Sequence, residues 1–281
     1  MAAQSELYRD IATRTGGDIY IGVVGPVRTG KSTLIKRFME TMVLPRIESE
    51  PRRSRAADEL PQSAAGRTIM TTEPKFIPEE AVSITLEGNI SLRVRMIDCV
   101  GYIVPSALGY IENQQPRMVM TPWFEQEIPF NMAAEIGTQK VIQEHSTIGL
   151  VVTTDGTITE IPREDYVQAE KRAITDMQKT GKPFLVIVNS RNPAGEAAGE
   201  VKAYLQNTFA LEPIVADCQA LDAEGIGKLM KALLYTFPMS ELRVHLPRWM
   251  DALEPEHPVK AALYQALLQM AEEIHTLGQA E

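Results

Sequence analysis

The chain has 281 residues, of which 44% are hydrophobic, enough for one large domain or two small ones. Its formal net charge is -9, from 28 Lys and Arg against 37 Asp and Glu, which disfavours a nucleic-acid groove, so we expect no nucleic-acid partner. Cys99 and Cys218 lack metal-ligand spacing, which favours a reduced, cytoplasmic protein. The polar N-terminus and the lack of an apolar run of about 18 residues predict no signal peptide and no membrane span, so membrane contact is expected to be indirect.

The first half of the chain alternates between regular segments and long irregular ones. A short helix is predicted within residues 1–15, followed by a buried strand at 18–25 and an amphipathic helix that begins near Lys31. Periodicity is lost over residues 44–78, where Pro, Ser, Thr and charged residues dominate, and so long a loop is usually functional or disordered. Two strands joined through residues 88–89 come next, and a second irregular insertion with four prolines follows them.

The second half of the chain alternates strands and helices regularly. The predicted helices cover residues 132–144, 163–180, 196–208 and 223–236, and the predicted strands cover 147–154, 184–189 and 211–217. This βα alternation predicts an α/β fold with a mostly parallel sheet and helices on both faces. We therefore assign residues 16–237 to one domain. Residues 238–281, which end in a predicted amphipathic helix at about 258–277, are interpreted as the start of a following domain that is largely absent.

The segment GPVRTGKS, from Gly25 to Ser32, fits the phosphate-loop pattern G-x-x-x-x-G-K-[ST] between a predicted strand and a predicted helix. In such a loop, backbone N–H groups surround phosphate oxygens, Lys31 places charge on the β- and γ-phosphates, and Ser32 offers its hydroxyl to Mg²⁺. The alternative is a glycine turn with an incidental lysine, which the flanking elements disfavour. The predicted nucleotide-binding residues of the loop are Gly25, Val27, Arg28, Thr29, Gly30, Lys31, Ser32 and Thr33.

A second nucleotide-binding segment is predicted at MIDCVG, where Asp98 ends an apolar strand and Gly101 follows three positions later. Asp98 can bind a Mg²⁺-bound water, and the Gly101 N–H can meet the γ-phosphate. An Asp at a strand end is common by itself, so this interpretation depends on the phosphate loop upstream. The next residue is Tyr102 and not a Gln, so the attacking water must be oriented by the backbone or by another residue.

The irregular stretch GRTIMTTEP contains three candidate γ-phosphate sensors, Thr68, Thr71 and Thr72. A threonine in such a loop can bind Mg²⁺ through its hydroxyl and the γ-phosphate through its N–H. Thr71 and Thr72 come just before the next strand, where a sensor belongs, so we assign them catalytic roles and list Thr72 with Ser32 and Asp98 as a metal ligand. The alternative is a solvated, Thr-rich loop.

The stretch FLVIVNSRNP lies where a guanine reader of the form Asn-Lys-x-Asp is expected. Asn189 is present, but Ser190 holds the Lys position and Asn192 the Asp position. Guanine recognition uses a carboxylate that accepts from N1–H and N2–H₂, so without it the preference for GTP should collapse. Asn189 can still support the phosphate loop from behind, and the alternative is a simple turn former at the strand end.

Arg28 holds the fourth position of the phosphate loop, where potassium-activated GTPases have an Asn that helps to hold K⁺. A guanidinium is permanently charged and rich in donors, so it can place positive charge where K⁺ would sit. This role would resemble an arginine finger supplied in cis and would compensate for Tyr102. The alternative is that Arg28 points away and pairs with an acidic residue of the long loop.

Together, these segments resemble the ATPase region of the stage IV sporulation protein A family, across the whole chain. The resemblance is carried by RTGGDIYIGVVGPVRTGKST, DELPQSAAGRTIMTTEPKFIP, RMIDCVGY, TPWFEQEIPF, AAEIGTQKVIQEHSTIGLVVTTDGTI and GKPFLVIVNS. It implies a P-loop NTPase fold similar to translation-factor-related GTPases that lost guanine selectivity, with ATP and Mg²⁺ as ligands. Lys31 then matches the phosphate-loop lysine, Asp98 the Mg²⁺-side aspartate, and Thr71 and Thr72 the sensor threonines.

The resemblance also implies that hydrolysis drives a conformational change and self-assembly into a polymer, the basement layer of the spore coat. The implied location is the mother-cell cytoplasm at the outer forespore membrane. The implied partners are further copies of the protein, the small forespore-membrane peptide SpoVM and other coat proteins, mostly through regions outside this chain. Two alternatives stay open: a GTP-hydrolysing switch that resembles ribosome-assembly GTPases, and a nucleotide-binding scaffold without turnover.

Overall fold

The computed structural model describes residues 17–61, 73–86, 90–112, 114–239, 241, 244–254 and 256–280. The strands are β1 Asp18–Val24, β2 Lys75–Leu86, β3 Ile90–Asp98, β4 Ile111–Glu112, β5 Gln115–Pro116, β6 Met118–Thr121, β7 Phe124–Pro129, β8 Ile148–Thr154, β9 Phe184–Asn189 and β10 Ile214–Ala216. The α-helices are α1 Lys31–Phe38, α2 Glu50–Asp58, α3 Phe130–Lys140, α4 Arg163–Thr180, α5 Glu196–Phe209, α6 Ala223–Tyr235 and α7 Pro258–Glu273. Shorter helical turns are Met39–Val43, Leu44–Arg46, Val141–His145, Arg248–Ala252 and Leu277–Ala280.

Six strands form one sheet in the order β10-β9-β8-β1-β3-β2. All neighbours in it are parallel except β2 and β3, which are antiparallel. Every residue of β8 is buried, as expected for a parallel strand that has helices over both faces. The predicted α/β fold with a mostly parallel sheet is therefore confirmed. The carboxyl ends of β1, β3, β8 and β9 meet at one edge, which is the edge that carries the phosphate loop.

Two apolar cores lie on the two faces of the sheet. On one face, α1 and α6 bury side chains that include Leu34, Phe38 and Leu233. On the other face, α3, α4 and α5 bury side chains that include Phe130, Tyr166 and Leu205. Burying an apolar side chain of this size contributes about 1.5–3 kcal/mol. We call the sheet edge that carries the phosphate loop the nucleotide edge. The helices that flank it are held in place by this packing of apolar side chains and not by the residues of the predicted site.

The prediction of irregular structure over residues 44–78 is wrong in part, because α2 lies within this range and β2 begins at Lys75. Helix α2 buries only Ala56, so it has no apolar stripe that a periodicity search could detect. Its stability comes from local features instead, with Pro in its first turn and an ion pair between Arg53 and Glu50.

The second insertion was also predicted to be irregular, and it contains two small antiparallel hairpins. Strand β4 pairs with β5, and β6 pairs with β7. These strands are only two to six residues long, and three of the four include or adjoin a proline. The alternation typical of a strand cannot be recognised over so few residues. The hairpins lead directly into α3, so they lie beside the second nucleotide-binding segment along the chain.

The C-terminal part of the chain returns to the sheet domain. Helix α7 ends at Glu273, four residues earlier than predicted, and Leu277 is buried in the core that contains α6. The Leu277 N–H donates to the Phe237 carbonyl at 3.0 Å, and the Met239 N–H donates to the His275 carbonyl at 2.9 Å. The domain boundary at residue 238 stays a prediction, and the predicted helix at 1–15 lies outside the described residues. No helix in the described ranges is long and apolar enough to cross a membrane.

Candidate functional site

The phosphate loop connects β1 to α1, and two of its positions require glycine. Gly25 has φ +133°, and a Cβ there would lie 2.3 Å from the Val152 carbonyl oxygen of β8. Gly30 has φ +90° at the start of α1, and a Cβ there would lie 2.2 Å from Asn189 Nδ2. Both positions therefore exclude side chains for backbone and packing reasons. The N-terminus of a helix stabilises an anion, so the start of α1 is suited to a phosphate.

Hydrogen bonds hold the loop from several sides. The Val27 N–H donates to the Tyr102 carbonyl at 2.8 Å, and the Tyr102 N–H donates to the Gly25 carbonyl at 3.1 Å. Within the loop, the Thr29 hydroxyl donates to the Pro26 carbonyl at 3.0 Å. Asn189 Nδ2 donates to the Thr29 carbonyl at 2.9 Å, so the amide of Asn189 lies behind the loop. The loop and the segment after Asp98 consequently form one connected unit.

The side chain of Asn189 bridges the phosphate loop and the end of β10. Its Nδ2 bonds the Thr29 carbonyl, and its Oδ1 accepts from the Cys218 N–H at 3.0 Å. Asn189 is 4% exposed, so both bonds are shielded from water. A buried amide with both polar groups engaged orients the loop rather than merely ending a strand.

Three charged or polar side chains converge at the N-terminus of α1. Lys31 is 5% exposed and its Nζ donates to the Pro26 carbonyl at 2.6 Å. The Ser32 hydroxyl donates to Asp98 Oδ2 at 2.8 Å. Asp98 is 7% exposed, and its second oxygen, Oδ1, is buried without a hydrogen-bond partner. A buried carboxylate oxygen that lacks a donor is costly unless a ligand completes it.

Burial dominates the electrostatics of this cluster. It lowers the pKa of Lys31, and the nearby Asp98 carboxylate opposes this shift. It raises the pKa of Asp98, opposed by the Ser32 hydrogen bond and by the Lys31 charge. Burial also raises the pKa of Cys99 to about 11, so its thiol stays protonated at neutral pH. Both charged groups of the cluster would be stabilised in their ionised forms by a phosphate and a divalent cation.

The donor set fits a magnesium–nucleotide complex. Ser32 supplies a hydroxyl oxygen and Asp98 a carboxylate, and hard oxygen ligands are the ones that Mg²⁺ prefers. The unpartnered Asp98 Oδ1 is the acceptor that a metal-bound water would complete. Lys31 and the helix N-terminus would meet the phosphates, which are bound to the same ion.

Gly101 lies against Lys31, the lysine that is predicted to bind phosphate. Its φ is +97°, and a Cβ there would lie 2.3 Å from the Gly25 carbonyl oxygen and 2.6 Å from Lys31 Nζ. Its N–H donates to Thr138 Oγ1 of α3 at 3.1 Å. The residue predicted to meet the γ-phosphate is thus in place beside Lys31, while its N–H is bonded to a helix.

Tyr102 points away from the nucleotide edge into the core under α4. It is 3% exposed, and its hydroxyl donates to Asp176 Oδ2 at 2.7 Å. The guanidinium of Arg172 lies over its ring at 5.1 Å. Burial and the neighbouring carboxylate raise the pKa of Tyr102. The phenol therefore serves packing between the segment after Asp98 and helix α4.

Replacing Tyr102 with Phe is expected to destabilise the fold and to leave the nucleotide hydrolysis predicted from the sequence near the wild-type rate. The lost hydrogen bond ends on a carboxylate, so the free energy of unfolding should fall by about 1.5–3 kcal/mol. Chemical denaturation and phosphate release measure the two quantities separately. Tyr110→Phe removes an exposed phenol bond to the Pro105 carbonyl and is the matched control. A tenfold or larger loss of turnover in Tyr102→Phe would place the phenol in the reaction instead.

Arg28 interacts electrostatically with a phenol of α4. It has φ +63°, and burial lowers the pKa of its guanidinium while the nearby Tyr166 phenol opposes the shift. The Arg28 charge in turn lowers the pKa of Lys31. The charges of Arg28 and Lys31 therefore disfavour each other, and an anion bound at the loop would relieve this repulsion.

On the base side, the described residues offer no carboxylate at the guanine-reading position. Ser190 is fully buried, and its N–H donates to the Ala216 carbonyl at 3.0 Å. Asn192 is exposed, and its N–H donates to Ser190 Oγ at 3.0 Å. The Arg191 N–H donates to Thr157 Oγ1, which joins this turn to the end of β8. The turn after β9 is thus neutral where a guanine reader has Lys and Asp.

The structure brings together residues from the phosphate loop, from the strand end at Asp98 and from β9. Thr33 is half-buried on α1. Thr68, Thr71 and Thr72 lie outside the described residues. No sequence pattern indicated Thr138 or Asp176, because both lie on helices whose contacts to residues 101 and 102 arise only by packing.

A family sequence profile described as "Stage IV sporulation protein A, ATPase domain" matches residues 2–238. The chain belongs to this family. Proteins named "Stage IV sporulation protein A" are 49% identical to it over 272 residues in Bacillus anthracis and 47% identical over 272 residues in Bacillus subtilis (strain 168). A third, from Clostridioides difficile (strain 630), is 47% identical over 265 residues. The Bacillus matches cover 97% of this chain and 55% of the relatives, so the chain spans about half of their length.

Solved structures show weaker similarity than the sporulation family does. The FeoB G-domain from Methanococcus jannaschii has 9% identity and a TM-score of 0.36, covering 77% of this chain and 98% of that one. A variant of SsGBP has 13% identity and a TM-score of 0.43, covering 83% of this chain and 62% of that one. The fold assignment therefore rests on the sheet topology and on the family. All the described site residues lie within the range matched to the sporulation ATPase domain.

Proposed function

We propose that this chain hydrolyses ATP to ADP and phosphate in a Mg²⁺-dependent reaction. The observation that carries the proposal is the buried cluster of Lys31, Ser32 and Asp98 at the phosphate loop, with Asp98 Oδ1 lacking a partner. Such a cluster is costly for an empty fold and is satisfied by a metal-bound polyphosphate. Membership of an ATPase-domain family supports the same chemistry.

In the proposed mechanism, the chain positions the phosphates and stabilises the charge that develops on them. Lys31 leaves the Pro26 carbonyl and donates to the β- and γ-phosphate oxygens, together with the first N–H groups of α1. Ser32 and Asp98 would hold Mg²⁺, which neutralises charge between the β- and γ-oxygens when bound. Water then attacks the γ-phosphorus. A bond forms between the water oxygen and the γ-phosphorus, the bond between the γ-phosphorus and the bridging oxygen breaks, and the proton of the water leaves with the phosphate product.

The attacking water must be oriented without Tyr102, whose hydroxyl is bonded to Asp176. Among the described residues, we take backbone N–H groups and the Arg28 guanidinium as the candidates for this role. We propose that Arg28 supplies transition-state charge, and that Thr71 and Thr72 sense the γ-phosphate and, through Thr72, contact the metal. Thr33 and the remaining residues of the loop contribute backbone contacts in this proposal.

We propose ATP as the preferred substrate because the base side lacks a carboxylate for guanine. A site that hydrogen-bonds a substrate group rejects analogues without that group, and losing the acceptor removes the discrimination. Asn192 stands where the acceptor would be, and Ser190 is buried and cannot cover the base. Asn189 is retained for the phosphate loop and not for the base.

ATP is expected to be hydrolysed at least as well as GTP, measured as kcat/KM under matched Mg²⁺. Asn192→Asp restores the acceptor and should raise the GTP-to-ATP ratio, while Asn207→Asp on exposed α5 adds the same charge as a control. A wild-type preference for GTP above about tenfold, equivalent to about 1.4 kcal/mol, would contradict the proposal. Absence of Mg²⁺-dependent phosphate release would favour a binding scaffold without turnover.

Family membership also motivates a proposal for the whole protein. We propose that hydrolysis drives a conformational change and self-assembly into a polymer around the forespore, on the mother-cell side of the outer forespore membrane. Further copies of the protein, the peptide SpoVM and other coat proteins are the proposed partners. Since this chain spans about half of its relatives, the regions outside it are expected to contribute most of these contacts.

A further inference from the structure

Thr138 connects the second nucleotide-binding segment to helix α3. It is fully buried, and its Oγ1 accepts the Gly101 N–H at 3.1 Å and donates to the Ala134 carbonyl at 2.7 Å. The Cys99 thiol is also within 3.7 Å of this oxygen. The hydroxyl thus links the backbone at Gly101 to the backbone of α3 through two hydrogen bonds.

The Gly101 backbone lies beside the terminal-phosphate position while its N–H points elsewhere. A Cβ on Gly101 would lie 2.6 Å from Lys31 Nζ, the group expected on the γ-phosphate. The N–H can reach the phosphate only after it leaves Thr138. The flanking residue cannot follow freely, because Tyr102 exchanges hydrogen bonds with Gly25 and Val27 of the loop.

A rotation of the peptide unit between Val100 and Gly101 is the smallest change that redirects this N–H. Glycine permits it, because Gly101 already has φ +97° and has no Cβ to clash with Lys31 or with the Gly25 carbonyl. The rest of the segment can stay bonded to the phosphate loop during this rotation.

We propose that Thr138 is a positioning residue that holds the Gly101 N–H in a resting orientation, and that the terminal phosphate of a bound triphosphate takes this N–H over. The inference rests on the proposed function. A diphosphate has no oxygen at that position, so it leaves the bond to Thr138 in place. When the phosphate takes over the Gly101 N–H, Thr138 Oγ1 loses its donor. The hydrogen bond between α3 and the segment after Asp98 therefore depends on whether a γ-phosphate is bound.

The strengths of the two hydrogen bonds give the direction of the exchange. A bond from an N–H to an ionised phosphate oxygen is roughly twice as strong as one to a neutral hydroxyl, so the triphosphate wins. Breaking the hydrogen bond between the Gly101 N–H and Thr138 still costs free energy. This cost weakens the binding of the triphosphate and not that of the diphosphate, which leaves the bond in place. A net contribution of about 1 kcal/mol corresponds to about a fivefold change in affinity.

The test compares Thr138→Val with Thr138→Ser. Valine keeps the shape of the buried side chain and removes the acceptor, and serine keeps the hydroxyl. Dissociation constants are measured with Mg²⁺ for ADP and for a non-hydrolysable ATP analogue. Thr138→Val should raise the affinity for the analogue relative to ADP by about fivefold, because Gly101 no longer loses a bond on exchange. Thr138→Ser should keep the wild-type ratio.

Equal weakening of both nucleotides in Thr138→Val would indicate a merely structural residue, and an unchanged ratio would overturn the proposal. A ratio in Thr138→Ser as high as in Thr138→Val would overturn it too. If wild-type protein neither binds nor hydrolyses ATP, the proposed function itself fails. If wild-type turnover is normal and Thr138→Val leaves the ratio of analogue affinity to ADP affinity unchanged, the exchange at Gly101 is rejected and the proposed function stands.

A second measurement needs no substitution at Thr138 and decides the matter if Thr138→Val does not fold. The sequence contains two Val-Gly pairs, at Gly25 and Gly101, so ¹³C-carbonyl valine with ¹⁵N-glycine labelling isolates two amide resonances. The Gly101 resonance is assigned by its loss in Val100→Ile. We expect it to move between the ADP complex and the analogue complex. An identical Gly101 resonance in both complexes would overturn the exchange.

Discussion

Replacing Lys31 with Ala is expected to lower the rate of Mg²⁺-dependent ATP hydrolysis by at least about a hundredfold. Lys31 is the buried cation beside Asp98 and Gly101, and it would donate to oxygens whose charge grows in the transition state. Loss of a single preorganised donor of this kind costs about 10²–10³ in rate. The measurement is phosphate release at saturating ATP, with an enzyme concentration high enough to detect the residual rate.

Lys36→Ala is the matched control for Lys31→Ala. Lys36 lies on the same helix, its side chain is 44% exposed, and it pairs with Glu40 at 3.9 Å. Surface ion pairs of this type contribute little, so its turnover and its unfolding midpoint should stay close to wild type. Circular dichroism and thermal unfolding establish that Lys31→Ala remains folded. Turnover of folded Lys31→Ala within tenfold of wild type would remove Lys31 from the proposed mechanism.

Replacing Arg28 with Ala is expected to lower kcat by at least about tenfold, with little change in the affinity for ATP. A charge that acts mainly in the transition state changes kcat more than binding. The electrostatic coupling of Arg28 to Lys31 agrees with this role, since the charge of Arg28 lowers the pKa of Lys31. Steady-state kinetics and a binding measurement with a non-hydrolysable analogue separate the two effects.

The same hypothesis predicts that wild-type hydrolysis is insensitive to exchanging K⁺ for Na⁺ at constant ionic strength, because the guanidinium replaces the ion. Arg28→Asn should recover part of the lost activity, and only with K⁺ present. Arg28→Lys keeps the charge without the planar fork of donors, so it tests whether charge alone is sufficient. A wild-type enzyme that requires K⁺, or an Arg28→Ala variant with normal kcat, would exclude the role.

The βα alternation and the phosphate loop were predictable because their signals are local. A buried strand, a glycine-rich loop and an amphipathic helix follow one another within residues 18–38, and each has its own pattern. Helix α2 was not predictable, since a helix that buries only Ala56 shows no apolar period. The hairpins of the second insertion escaped for a related reason, because strands of two to six residues contain too few alternations.

The candidate site also contains residues that were predictable from the sequence and contacts that were not. Lys31, Ser32, Asp98 and Asn189 were predicted from motifs in which residue type and spacing carry the chemistry. The contacts of Thr138 with Gly101 and of Asp176 with Tyr102 join residues 37 and 74 positions apart, and no motif spans them. Each depends on how α3 and α4 pack on the sheet, which is set by burial of apolar faces and not by the polar residues themselves.

By itself, the sequence determined the βα alternation of the second half, the phosphate loop and the neutral residues at positions 190 and 192, because these depend on neighbouring residues. The tertiary structure alone decided that Asn189 lies behind the loop, that the Tyr102 phenol turns towards α4 and that the Gly101 N–H is bonded to Thr138. The physical reason is that strand order and helix packing bring distant segments to one sheet edge. Side-chain partners at that edge are then selected by distances of about 3 Å, which no linear spacing specifies.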